Sequence, residues 1–228
     1  MTKNRLIAFG CSNTFGEGLP DCWIKSDFGK NYMYGPTASK FAWPSVLSEK
    51  LNLDCVNLAK PSVSNKWICN EILNTDFVPT DTVVILWTYF SRSCIFQDDG
   101  SNKKLFIQSI HNQHIDLSIR KYNKDYYKKY YTNTDAIIET YRSIELAKYY
   151  LDSLGVKNFH YSCDRADDRG NISFGDLPTP KWSTVTLPPI RIPKLDAALD
   201  NQHPGVVSHS MFAKLIIKHS RLKKIIKG

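Results

Sequence analysis

The run Thr82-Val83-Val84-Ile85-Leu86-Trp87-Thr88 is apolar on both of its alternating faces. A strand with one wet face alternates apolar and polar residues, so a run without alternation must be covered from above and below. That is the condition of an interior strand in a parallel sheet. Parallel neighbours are joined by crossovers, usually helical, and the surrounding sequence supplies them. Residues 5–9 predict a first strand, and Ala42 to Leu51 a helix with Pro44 in its first turn. Asp54 to Ala59 predicts a strand and Lys66 to Asn74 a helix. From Thr134 to Leu154, Ile137, Ile138, Tyr141, Ile144, Leu146, Ala147, Tyr150 and Leu151 recur at helical spacing. Gly155 caps that helix, and Val156 to Tyr161 reads as a fourth strand. Met211 to Lys218 reads as an amphipathic helix. Strands and helices alternating in this order imply an α/β protein, a three-layer α/β/α sandwich on a parallel, flavodoxin-like sheet.

A chain of 228 residues suits one domain, 1–228, with insertions near 15–40 and 95–133. The first is rich in Gly, Pro, Asn and aromatic residues and reads as a long active-site loop. The second is polar and tyrosine-rich and reads as a lid. Residues 178–193 hold five prolines, which predicts an extended passage.

Hydrophobic residues at 42% and charged residues at 23% exclude a disordered or fibrous class. No apolar run approaches the ~20 residues of a membrane span. Met1 to Arg5 leads into a strand without a signal-peptide core, so the chain is expected in the cytosol as synthesised. Six cysteines (11, 22, 55, 69, 94 and 163) are irregularly spaced without a CxxC pair, and read as reduced, mostly packing thiols. No metal site and no cofactor is expected.

The net charge of +8 is concentrated in Arg120 to Tyr131 and in Lys214 to Lys227. Basic groups among tyrosines suit an anionic glycan or nucleic acid. A solvated surface is the favoured reading, and no nucleic-acid partner is assigned. Nothing in the sequence addresses oligomeric state.

Two short signals carry chemistry. Ile7-Ala8-Phe9-Gly10-Cys11-Ser12-Asn13-Thr14 is a buried strand entering a tight turn that holds a serine. Asp200-Asn201-Gln202-His203-Pro204 places a carboxylate three residues ahead of a histidine. Serine, histidine and aspartate make a hydrolytic triad in any chain order: a nucleophile, a base and a group that orients the base. Ser12 also fits a helix N-cap. In parallel sheets ligand groups gather beyond the carboxyl ends of the strands, where Ser12, Ser62 to Asn65, Trp87 to Arg92 and Ser162 to Asp164 fall.

These residues resemble the SGNH (GDSL-like) hydrolases, particularly their small phage and bacterial branch. Gly10-Cys11-Ser12-Asn13-Thr14 is similar to the first block, usually G-D-S, with cysteine in place of aspartate. Asn57-Leu58-Ala59-Lys60-Pro61-Ser62-Val63-Ser64-Asn65 resembles a second block that often reads N-L-A-x-P-G-x-S-N. Asp200-x-x-His203-Pro204 resembles the last block, D-x-x-H. The resemblance implies a serine esterase, often a deacetylase of carbohydrates, with Ser12 as nucleophile, His203 as general base and Asp200 orienting it. It implies an oxyanion hole built from the Ser12 N–H. Ser62 stands where the family has a glycine donor, and Thr88 or Tyr89 where G-x-N-D is expected, with Asn65 as a substitute donor. It also implies a small-molecule or glycan ester as substrate, and virion association if the chain is phage-encoded.

Arg92 suits a substrate carboxylate or a structural ion pair equally. Tyr89 and Trp87 suit a sugar-stacking wall, although core packing fits Trp87 better. Asn65 also suits a helix cap. His209 reads as a supporting residue. Three functions remain open on sequence: an ester hydrolase, an acyltransferase sharing its first half-reaction, and a degenerate module that binds a glycan or protein.

Overall fold

The computed structural model describes residues 4–25, 32–110, 116–163, 180–185, 187–188 and 190–220. The chain starts with β1 (Arg5–Gly10), the four-residue α1 (Ser12–Phe15), a short antiparallel pair β2 (Trp23–Lys25) and β3 (Tyr32–Tyr34), and α2 (Trp43–Leu51). Next come β4 (Asp54–Asn57), α3 (Asn65–Leu73) and β5 (Thr82–Trp87). A hairpin of β6 (Ser93–Phe96) and β7 (Asn102–Leu105) leads to a 3-10 turn, Ile107–Ile110, and α4 (Leu117–Lys129). The last elements are α5 (Asn133–Ser153), β8 (Lys157–Ser162) and α6 (Val206–Ser220).

Four strands form one parallel sheet in the order β4-β1-β5-β8. Counted along the chain these are second, first, third and fourth, the flavodoxin-like arrangement. The register sets Ile7 beside Val56 and Val83, and Leu86 beside Tyr161. All six residues of β5 are buried, as its unbroken apolar run requires. The edge strand β4 has its first two residues exposed.

Helices cover the sheet in two layers, α2 packing with α6 and α3 with α5. Trp43 of α2 meets Phe212 of α6 edge-on, with ring centroids 5.6 Å apart. Trp43, Trp87, Tyr161, Phe9 and Phe212 are all fully buried. Each such aromatic contributes on the order of 2–3 kcal/mol by leaving water. At the amino end of the sheet, Arg5 Nε and Nη2 donate to the two Asp81 carboxylate oxygens at 2.8 and 2.6 Å. That bidentate pair ties β1 to the start of β5, at the end opposite Ser12.

Among the described residues, both insertions hold regular elements. Residues 15–40 contain the β2–β3 ladder, whose three-residue strands are too short to show alternation. Residues 95–133 hold the β6–β7 hairpin and α4, and are anchored rather than loose. The Tyr127 hydroxyl donates to Ser91 O at 2.6 Å, and buried Asn123 donates to Ser109 Oγ. The rest of α4 is largely solvated, as the charge pattern predicts. His111, His114, Asp164 and residues 221–227 of the basic run lie outside the described residues. No helix among the described residues is long and apolar enough to cross a membrane.

Candidate active site

β1 ends at Gly10, and the chain turns at once into α1. A Cβ on Gly10 would sit 2.1 Å from Thr14 Oγ1, so only glycine lets the strand enter so tight a helix. Cys11 is the N-cap, and its carbonyl accepts from Thr14 and Phe15 N–H, both at 2.9 Å. Ser12 is therefore the first helical residue rather than the cap, and its hydroxyl makes no capping bond. Its recorded contact is Cys11 Sγ at 4.0 Å. The Ser12 N–H has no protein acceptor among the described residues.

Asp200 and His203 occupy a loop closed by a bridge between Ala197 and Pro204 and by Ala198 N–H donating to His203 O. Asp200 organises the loop. Its Oδ1 accepts from Gln202 N–H at 2.9 Å and His203 N–H at 3.0 Å, and its Oδ2 lies 2.5 Å from His203 Nδ1. Burial pushes the Asp200 carboxyl up, but the bonds from His203 and the two N–H groups outweigh it and hold its pKa low. Gly18 packs onto this carboxylate: a Cβ there would be 2.7 Å from Asp200 Cγ, and its φ of +82° favours glycine. The loop continues into α6, whose first N–H groups, Val207 and Ser208, donate to the Asp196 carboxylate at 3.0 and 2.8 Å.

Ser12, Ser62, Tyr89, Arg92 and His203 line one cavity of about 380 Å³ at the carboxyl end of the sheet. Among the described residues no hydrogen bond joins Ser12 to His203. Instead His203 Nε2 faces Glu17 Oε2 at 3.7 Å. Glu17 lines the same cavity, and burial raises its pKa despite the opposing charge of His203. Sequence reasoning missed it. It stands between Gly16 and Gly18, both at positive φ, a turn that carries no spacing pattern in the sequence.

Ser62 has φ +62°, the left-handed region that favours glycine. The position resembling the family's glycine thus keeps a glycine's backbone conformation with a serine in it. Its N–H has no protein acceptor among the described residues.

Asn65 and Thr88 are corrections: the structure does not bring them to the cavity. Asn65 is 2% exposed. Its Oδ1 accepts from Thr88 N–H at 2.8 Å, while Nδ2 donates to Thr88 O at 3.0 Å and Thr140 Oγ1 at 3.2 Å. Every side-chain group of Asn65 is committed to holding the turn after β5, so it is neither an oxyanion donor nor the cap. Ser64 caps α3, accepting from Trp67 N–H. Thr88 is fully buried, and its hydroxyl accepts from Arg92 Nη1 at 3.2 Å. Trp87 is core, donating from Nε1 to His160 Nδ1 at 3.1 Å. Tyr89 lies on the cavity wall with the Arg92 guanidinium 5.0 Å from its ring centre.

Two further histidines accept from N–H groups, His209 fully buried and His160 half-buried. His160, beside a separate cavity of about 470 Å³ against β8, is pulled down to about 4 by burial. His209 accepts from Trp43 N–H at 3.1 Å and is likewise held near about 4. Cys11 is buried with its thiol hydrogen-bonded to Cys163, which holds its pKa down against burial. All six cysteines are free thiols. Among the described residues no group of three His, Cys, Asp or Glu side chains is placed to hold a metal ion.

A four-stranded parallel sheet between helical layers, with a serine after the first strand and an Asp-x-x-His loop after the last, defines an SGNH-hydrolase-like fold. No family model and no curated protein matches the chain. Solved structures do. A carbohydrate esterase whose active site "displays divergent catalytic and non-catalytic binding functions" aligns at TM-score 0.59 and 14% identity, covering 99% of this chain and 70% of that one. An acetyl xylan esterase from the rumen bacterium Butyrivibrio proteoclasticus aligns at TM-score 0.43 and 15% identity over 99% of this chain and 65% of that one. A protein described as lipolytic and of the G-D-S-L family, from Desulfitobacterium hafniense DCB-2, aligns at 0.35 and 13%, over 94% and 98%. At these identities the likeness is one of fold.

Proposed function

We propose that the chain is a serine ester hydrolase that removes acyl or acetyl groups from a carbohydrate or small ester. The observation that carries this reading is that Ser12 and His203 face one cavity while Asp200 binds the remote ring nitrogen of His203. In this mechanism Ser12 Oγ attacks the acyl carbon as His203 Nε2 takes its proton. The tetrahedral oxyanion is met by the N–H groups of Ser12 and Ser62. Collapse expels the alcohol, which takes the proton back from His203. Water then attacks the acyl-Ser12 ester with His203 again as base, releasing the acid. A sugar hydroxyl in place of that water would make the same site an acyltransferase. Asp200 holds the tautomer that leaves Nε2 free to accept, and stabilises the imidazolium. The fold likeness to carbohydrate esterases supports the substrate class.

A second reading, a degenerate binding module, is favoured by one observation: His203 Nε2 faces Glu17 rather than Ser12. Intact-mass spectrometry after a small fluorophosphonate separates the two. A single adduct on Ser12, lost in Ser12→Ala and His203→Ala, supports the hydrolase. Folded protein without an adduct supports the binding module.

A further inference from the structure

Arg92 is the most conspicuous group in the cavity wall that the proposed mechanism leaves unused. Of the five N–H donors of its guanidinium, one reaches Thr88 Oγ1 at 3.2 Å. Its Nε is buried without an acceptor among the described residues. Among the described residues Arg92 forms no ion pair. A buried donor on a cation is costly unless a further group completes it.

The surroundings add to the positive charge. Lys194 lines the same cavity, and among the described residues its amino group reaches Gln202 O alone, at 3.4 Å. Lys104 is half-buried, donating to Pro61 O at 2.8 Å beside the Ser62 turn. Burial lowers the Lys104 pKa, and the neighbouring charges of Lys60 and Arg92 lower it further, against the pull of Glu17. Lys60 is exposed over the Trp67 ring. None of Lys60, Lys104 and Lys194 has a carboxylate partner among the described residues. Glu17 is the one carboxylate on the described cavity wall, and it faces His203. Cations gathered against their own repulsion around a hollow are a binding feature rather than a stabilising one. The net charge of +8 would draw anions toward it from a distance.

We propose that Arg92, with Lys104 and Lys194 around it, forms an anion subsite beside Ser12, so that the ester cleaved carries a carboxylate or phosphate on its alcohol part. An O-acylated acidic glycan fits this description. The planar fork of Arg92 suits either anion in bidentate contact. The Tyr89 ring centre lies 5.0 Å from the guanidinium, on the same cavity wall. The inference rests on the esterase reading for the word ester, but the anion subsite stands without it.

The test uses matched pairs with the full chain. The carboxylate arm compares an O-acetylated methyl galacturonoside with the corresponding galactoside. The phosphate arm compares acetylated glucose 6-phosphate with acetylated glucose. The expected result is kcat/KM about tenfold or more higher for at least one anionic member, the scale of one charge-assisted hydrogen bond. That ratio should fall toward one in Arg92→Gln and decline in Lys194→Gln, and added salt should reduce it. The arm that shows the preference identifies the anion. Equal kcat/KM within both pairs, or a ratio unchanged in both variants, overturns the subsite. If neither member of any pair is turned over, the fluorophosphonate adduct on Ser12 decides the esterase reading and calorimetry decides the subsite alone. Binding of galacturonate or glucose 6-phosphate over galactose and glucose, weakened by Arg92→Gln or Lys194→Gln, upholds it. No preference overturns it.

Discussion

The two ring nitrogens of His203 face two different carboxylates, Asp200 Oδ2 at 2.5 Å from Nδ1 and Glu17 Oε2 at 3.7 Å from Nε2. Burial pushes the imidazole toward its neutral form. The Asp200 hydrogen bond, with the charges of Glu17, Asp200 and Cys11, outweighs burial and raises its pKa above the usual histidine value. In the proposed mechanism His203 must be neutral to act as base, so turnover should rise with pH only as that raised pKa is passed. The stability this charge contributes is full at low pH and is lost as pH rises through the same value. Glu17→Gln removes one of the negative charges. The acid limb of kcat/KM, and the NMR titration of His203 itself, should both move to lower pH. A limb and a titration that stay in place would show that Glu17 has no hold on the base.

Asp200 acts on His203 from the other side and also holds the loop through two N–H bonds. Asp200→Asn keeps an acceptor for those bonds but favours the wrong imidazole tautomer. The expected result is a loss of about 10⁴ in kcat with the fold retained, read by steady-state kinetics beside circular dichroism. The wild-type carboxylate contributes stability that is present above the ordinary Asp pKa and lost as pH falls through its lowered one.

The fold was legible where burial leaves a periodic trace. β5 announced itself because both faces are covered, and α5 because one stripe faces α3 and β8. β2 and β3 left no trace, since three residues cannot establish a period. Ser12, Asp200 and His203 stood out because their residue types and spacing carry chemistry. Glu17 did not, because its partner is distant in the chain and one carboxylate between glycines has no pattern. Asn65 misled for a different reason. Sequence spacing placed it at the right end of the sheet but could not tell that its amide turns inward, onto the backbone of Thr88.

That inward turn makes Asn65 a stability residue with a measurable cost. Asn65→Ala would strand the buried N–H and C=O of Thr88 and the Thr140 hydroxyl. Each abandoned group costs about 1–3 kcal/mol, less where water enters. A fall of about 2–4 kcal/mol in chemical denaturation is expected. Fluorophosphonate labelling of the fraction that remains folded should persist, because the amide does not face the cavity. Lost labelling in folded protein would return Asn65 to the oxyanion hole.

Ser62 offers the opposite experiment, a substitution expected to improve the protein. An L-residue at φ +62° carries about 1–2 kcal/mol of backbone strain that glycine escapes. Glycine also loosens the unfolded chain, which returns about 0.4–1 kcal/mol of that gain. Ser62→Gly should therefore stabilise the fold by roughly 0.5–1 kcal/mol, visible as a higher Tm and denaturation midpoint. The backbone N–H stays in place and the side chain beside the cavity disappears, so hydrolysis of a bulky acyl ester should hold or rise. A loss of stability would mean that the serine hydroxyl holds the Pro61–Ser62 turn. A loss of turnover with stability gained would mean that the hydroxyl, rather than the N–H, meets the substrate.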